Sequence, residues 1–163
     1  MKILIAVAGK TGTALKCGAL LARLLPGAEV TDLELDCPDP AAYEAVIVGG
    51  AVRMGQLHRK ARAFLEQNEA TLLARPFGCF VCCAFAERGD EYLRRNVPPA
   101  LLAHAAAARC LGGELDPKRL NGMSKFVIGS MARSMEKEAR PAPALDPAAV
   151  RELAAAVRTE LDR

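Results

Sequence analysis

Lys2-Ile3-Leu4-Ile5-Ala6-Val7-Ala8 followed by Gly9-Lys10-Thr11-Gly12-Thr13 is the stretch on which the fold turns. Past its first residue the run to Ala8 is wholly apolar, short, and closed by Gly9, which predicts a strand buried on both faces. Helical spacing takes over at Leu15, Ala19, Ala22 and Leu25 and stops at Pro26-Gly27. A doubly buried strand, a glycine-rich turn and a helix are the opening of a parallel α/β sheet.

The pattern repeats outward from there. Glu29 to Leu35 reads as a second strand ended by Pro38 and Pro40, and Tyr43 to Gly49 as a third, closed by Gly49-Gly50. A helix is expected from about Leu57 to Ala74 and a fourth strand from Phe77 to Ala84. Glu87 to Ala108 reads as helical, interrupted at Pro98-Pro99. Arg109 to Leu115 is a weaker fifth strand. The last helix runs from Asp146 to Leu161, with Asp146 as N-cap and Pro147 in the first turn. Strands alternating with helices, joined by right-handed crossovers, predict a three-layer α/β sandwich with a five-stranded parallel sheet in the order 2-1-3-4-5. Residues 1–163 are expected to form a single domain. Between Pro117 and Pro143, Leu120, Met123, Phe126, Val127 and Met131 recur near helical spacing, with Lys118, Arg119, Lys125, Arg133 and Lys137 between them. This predicts a basic amphipathic helix over 118–137, packed on its own domain, on a partner, or on a membrane surface.

The totals narrow the function classes. Apolar residues make up 52% of the 163, so the chain can bury a core. No apolar stretch reaches the roughly eighteen residues of a spanning helix. The apolar start is too short for a signal peptide, and a cytoplasmic location is expected, membrane-peripheral if 118–137 touches a bilayer. The net charge of +3, with 4% aromatic residues, does not point to nucleic acid. None of the six cysteines, at 17, 37, 79, 82, 83 and 110, has a histidine at metal-ligand spacing, so no metal site is expected. Cys79, Cys82 and Cys83 read as small hydrophobes in a buried strand, with Cys83 nearest the strand's end.

In an open parallel sheet, ligands bind beyond the C-terminal strand ends, where the strand order reverses. That point lies between strands one and three. The first loop there, Gly9, Lys10, Thr11, Gly12, Thr13 and Ala14, leads into a helix N-terminus, whose backbone N–H groups and dipole favour an anion. It is not a P-loop, because Leu4 stands where that motif needs its first glycine, and it lacks the Gly-x-Gly-x-x-Gly of dinucleotide sites. A monophosphate is the better fit, the alternative being an ordinary tight turn that only solves a steric problem. The second loop, Gly49-Gly50-Ala51-Val52-Arg53-Met54-Gly55, brings backbone close to a flat ligand, with Arg53 and Met54 over one face. His58 follows, as a cap or a base. The third, Cys83-Ala84-Phe85, approaches from the other side. No catalytic residue is identified.

The element order and these three loops resemble the flavodoxin family. Val48-Gly49-Gly50-Ala51-Val52-Arg53-Met54-Gly55 with His58, together with Pro76 to Phe85 and the Lys125-Phe126 region, narrows the resemblance to flavodoxin-type, menaquinone-dependent protoporphyrinogen oxidases and their relatives. The resemblance implies a flavodoxin-like fold and FMN as cofactor. Lys10, Thr11, Gly12 and Thr13 would then hold its phosphate, while Gly50 to Gly55 and Cys83 to Phe85 flank the isoalloxazine. It implies electron transfer or oxidase chemistry with a redox partner or quinone. The chain departs from the family at Ala8, Gly9 and Ala14, where flavodoxins carry hydroxyls. Those departures favour the alternative, a flavodoxin-fold module with weakened or lost FMN binding that serves as a non-enzymatic partner-binding protein.

Overall fold

The computed structural model describes residues 1–9, 12–113 and 144–163. Strand β1 (Ile3–Ala8) lies between β2 (Ala28–Asp32) and β3 (Ala45–Arg53), all parallel, and β5 (Phe77–Cys82) and β6 (Ala107–Cys110) continue the sheet beyond β3. A two-residue strand, β4 (Gln56–Leu57), pairs antiparallel with the end of β3. Leaving β4 aside, the order is the expected 2-1-3-4-5, and the fold is flavodoxin-like: an α/β parallel sheet with helices on both faces.

Alternation along the strands divides the core in two. Ile3, Ile5, Val7, Ala45, Ile47 and Phe80 face one layer of helices, α1 (Thr13–Leu24) and α6 (Pro147–Leu161). Leu4, Ala6, Val46, Val48, Phe77, Cys79 and Val81 face the other layer. That layer comprises α2 (Arg59–Gln67), α3 (Glu69–Leu73), α4 (Gly89–Asn96) and α5 (Pro99–His104). Because both faces are covered, β1 and β5 are apolar at every position, and all of their residues are buried. Asp146 Oδ1 accepts the N–H of Ala149 at 3.2 Å and Pro147 opens α6, as expected.

Several boundaries differ from the sequence reading. Strand β3 does not stop at Gly49. It continues through Gly49 and Gly50 because the space their side chains would fill is already occupied: a Cβ on Gly49 would overlap the ring of Phe80, and one on Gly50 would lie 3.0 Å from Leu57 Cδ1 and 3.1 Å from Ala61 Cβ. Residues 49–53 are thus strand, and the expected loop shrinks to a turn. The expected helix over 57–74 is two helices, broken at Asn68, whose Nδ2 donates to Phe64 O at 2.9 Å. Strand β2 ends at Asp32, where Asp32 Oδ1 accepts the Glu34 N–H and turns the chain. Strand β5 ends at Cys82, two residues early. The helical stretch after it ends at His104, broken at the two prolines as expected, so the last strand runs over Ala107–Cys110 and not 109–115. The amphipathic segment at 118–137 lies outside the described residues.

Candidate functional site

Strands β1, β3 and β5 end side by side. Ala8 pairs with Gly50 and Ala51 with Cys82, so the segments that follow them meet at one edge of the sheet. Gly9 touches both neighbours: a Cβ there would lie 3.2 Å from Ala14 Cβ and 3.4 Å from Ala51 Cβ. The structure therefore brings Gly9, Ala14 and Ala51 together. Lys10 and Thr11 lie outside the described residues.

Gly12 is the N-cap of α1, with φ 87° and ψ −6°. Such a left-handed conformation favours glycine. Having no side chain, Gly12 cannot bond back to the first-turn N–H groups, and that turn contains no acidic residue. Thr13 and Ala14 follow as buried first-turn residues. A helix start whose N-cap residue makes no side-chain bond and whose first turn holds no carboxylate, reached by a close backbone approach at Gly9, fits a phosphate.

The second expected loop is a hairpin. Val52 pairs with Leu57 and Arg53 with Gln56, and the two residues between, Met54 (φ 54°) and Gly55 (φ 77°), are both left-handed. Two positive φ values make the tight turn that suits antiparallel strands, normally an Asn-Gly or Asp-Gly sequence. Met54 stands in a backbone region where a bulky side chain is strained, and it is 82% exposed. Gly50 is not on this loop; it is buried inside β3. Ala51, Val52 and Arg53 are half-buried at the strand's end.

Asn96, the last residue of α4, holds this hairpin, although the sequence reading gave it no role. Its Oδ1 accepts the Leu57 N–H at 3.1 Å, while its Nδ2 donates to Gly55 O at 3.0 Å and Tyr92 O at 2.9 Å. The signal was present in the sequence: Asn96 shares the buried face of α4 with Tyr92 and Leu93, where an unpartnered amide would be costly. Asn96→Ala should therefore lower unfolding stability by about 2–4 kcal/mol, because buried groups of Leu57 and Gly55 lose their partner. Urea denaturation checks this, and a loss under about 0.5 kcal/mol would show that the hairpin does not depend on Asn96.

His58 is a cap. Its Nδ1 accepts the Lys60 N–H at 3.1 Å, its main-chain N–H donates to Ala51 O, and its Nε2 meets Glu34 Oε1 at 2.6 Å. Accepting at Nδ1 leaves the proton on Nε2, directed at the Glu34 carboxylate. Both ring nitrogens are engaged in holding α2 to the end of β3 and to the turn after β2.

The third segment places Cys83 just past β5, buried, with Ala84 and Phe85 half-buried beyond it. Cys83 Sγ lies 3.4 Å from Cys110 Sγ and 3.4 Å from Phe85 O. A second thiol contact, Cys82 Sγ to Cys17 Sγ at 3.5 Å, lies deeper, between β5 and α1. Spacing along the chain connects neither pair, so sequence reading missed both.

Comparison with known proteins adds the following. A family model described as Flavodoxin domain matches residues 4–141. No curated protein sequence matches the chain. Among solved structures, a flavoprotein in complex with FMN from Lactobacillus acidophilus is similar at TM-score 0.54 and 11% identity, over 67% of this chain and 92% of that one. A flavodoxin from Streptococcus pneumonia is similar at TM-score 0.50 and 17% identity, over 95% of this chain and 99% of that one. The rubredoxin oxygen:oxidoreductase of Desulfovibrio gigas is similar at TM-score 0.50 and 11% identity; it covers 99% of this chain, which spans only 37% of the length of that protein. At such identities these likenesses show the fold.

Proposed function

The chain belongs to the flavodoxin domain family, and on that premise we propose that it is an FMN-binding redox protein. The observation that carries the reading is the start of α1, capped by left-handed Gly12 with no side-chain bond and no acidic residue in the turn, at the point where the strand order reverses. Gly9, Lys10, Thr11, Gly12, Thr13 and Ala14 would hold the phosphate. Ala51 to Gly55 on one side and Cys83 to Phe85 on the other would flank the ring. FMN, when bound, supplies the electron chemistry; the chain orients it, limits its contact with water and sets the charge around it. Strain at exposed Met54 supports a contact role for the hairpin tip, since unfavourable backbone geometry concentrates at binding sites.

Within that reading, we place the chain on the protoporphyrinogen oxidase-like branch, with Arg53 beside the flavin edge and an acceptor of the quinone class. The support is the resemblance over Val48 to Gly55 and the net charge of +3, unusual for a soluble flavin carrier. The basic segment at 118–137 would supply the contact with a membrane surface. The second reading, a binding module with weakened flavin affinity, is favoured by Ala8, Gly9 and Ala14. Ala14 is fully buried against Gly9, so no hydroxyl is replaced by another donor there. Each lost hydrogen bond to phosphate removes about 0.5–1.5 kcal/mol, and two or three lower affinity by one to several orders of magnitude.

Titration of FMN with the purified chain separates the two. Quenching of flavin fluorescence at micromolar concentration is expected. Absence of both quenching and thermal shift at millimolar FMN would sink the redox reading. Where FMN binds, turnover of protoporphyrinogen with a quinone distinguishes oxidase from carrier.

A further inference from the structure

We propose that Cys83 and Cys110 form a redox-active dithiol, which closes to a disulfide across the ends of β5 and β6 by exchange with a small disulfide of the glutathione class. Cys110 is the last residue of β6 and Cys83 is the first residue past β5. The register pairs Val81 with Cys110, and the Cys83 N–H donates to Gly112 O at 3.1 Å, so the two segments run on together beyond the sheet. Their sulfurs are 3.4 Å apart. A disulfide needs about 2.05 Å, so closure requires an approach of roughly 1.4 Å, within reach of side-chain rotation and a small shift of chain outside the ladder.

The two thiols differ in exposure, which decides which of them meets an external disulfide first. Cys110 is the more accessible, at intermediate exposure, and Cys83 is buried. The side-chain contact with Cys83, in which either thiol can donate, holds the Cys110 thiol below its ordinary value, at about 7, aided by backbone hydrogen bonds at Gly112 and Cys83 and opposed by burial and by Asp146. Cys83 is pushed up, by that hydrogen bond and by burial, because its proton would have to leave beside an existing thiolate. The start of α4 packs on Cys110: a Cβ on Gly89 would overlap Cys110 Cβ and lie 3.4 Å from its Sγ. A partly exposed thiol of lowered pKa is the attacking partner, and the buried neighbour the resolving one.

The step balances. Cys110 thiolate attacks one sulfur of the small disulfide and expels a thiolate, giving a mixed disulfide on Cys110. Cys83 then loses its proton to solvent and its sulfur attacks Cys110 Sγ, expelling the second thiolate. The chain loses two protons and two electrons, and the small disulfide takes them up to become two thiols. Cys17 and Cys82 are as close to each other, but both are buried, and Cys82 is pushed well up by its hydrogen bond with Cys17 and by burial. They should not react in the folded chain. Cys79, raised to about 12 by burial alone, is equally inert.

The test uses the full chain carrying Cys37→Ser, which removes the exposed thiol. The chain is held in oxidised glutathione at pH 7.5, quenched with acid and mapped by mass spectrometry without reduction. The expected product is a Cys83–Cys110 cross-link two hydrogens lighter, with Cys17, Cys79 and Cys82 still reduced. Cys83→Ser should trap glutathione on Cys110, and Cys110→Ser should slow all modification at least tenfold. The mapping needs no further substitution, so a variant that fails to fold leaves the result readable. A stable glutathione adduct on Cys110 in the presence of Cys83, or Cys110 reacting no faster than Cys17, overturns the proposal. The assay contains no flavin, so its outcome is independent of FMN binding.

Discussion

Gly12→Val should abolish FMN binding while the chain stays folded. In a fluorescence titration the apparent affinity is expected to fall at least 100-fold, about 2.7 kcal/mol of binding free energy. Gly12 sits at φ 87°. A non-glycine residue in the left-handed region costs roughly 1–2 kcal/mol, and a β-branched one fits it worse than most. The chain escapes by rotating that peptide, which turns the first N–H groups of α1 away from the phosphate position. Folded stability of about 5–15 kcal/mol absorbs a cost of that size, so the circular dichroism spectrum should be unchanged. Gly12→Ala, with a smaller side chain, should lose less. Affinity retained in the valine variant would mean that the phosphate is bound elsewhere.

Gly49→Ala should cost more stability than any other single methyl addition in the sheet. A Cβ there would overlap Cε1, Cζ and Cε2 of Phe80, its partner in the β3–β5 register. Phe80 is 1% exposed and packed among Ile47, Cys82 and the residues of α1 and α6, so its ring has nowhere to go. Overpacking a filled core costs about 1–3 kcal/mol, sometimes more. Here the clash involves a rigid ring, not the end of a flexible chain, which argues for the upper end. A loss near 3 kcal/mol corresponds to a fall of several degrees in thermal midpoint for a chain of this length. The double variant Gly49→Ala with Phe80→Leu should recover part of that loss, because the smaller side chain makes room. If the alanine variant alone unfolds within a degree of the parent, the ring over Gly49 is not close-packed.

The same two glycines show where sequence reading succeeds and where it fails. At Gly12 local logic was enough, because a helix start after a buried strand must solve a steric problem in the turn itself. At Gly49 and Gly50 the same logic misled. Glycine read as punctuation predicts a strand end there, but Gly49 and Gly50 lie inside β3 because the ring of Phe80, Leu57 and Ala61 fill the side-chain positions. The hairpin over 52–57 was missed for the same reason, and with it the strained turn at Met54. Asn68 and Asp32 shortened elements by bonding locally to the backbone, a choice that apolar periodicity does not register. His58 was seen at the right place but not with Glu34, twenty-four residues earlier in the chain, because only the return of the chain after β2 brings that carboxylate to it.

The sequence by itself determined the class of fold and the order of the strands, and from these it predicts the edge of the sheet at which a ligand would sit. Each follows from information carried within a few residues: runs apolar at every position, helical spacing, a glycine turn, and the rule that parallel strands are joined by right-handed crossovers. Tertiary structure alone decided what stands at that edge. The amide of Asn96 locking the hairpin, the imidazole of His58 held by Glu34, and the sulfur of Cys83 beside that of Cys110 join residues 39, 24 and 27 positions apart. Such contacts exist only after the chain has closed those loops, so neither composition nor periodicity could record them.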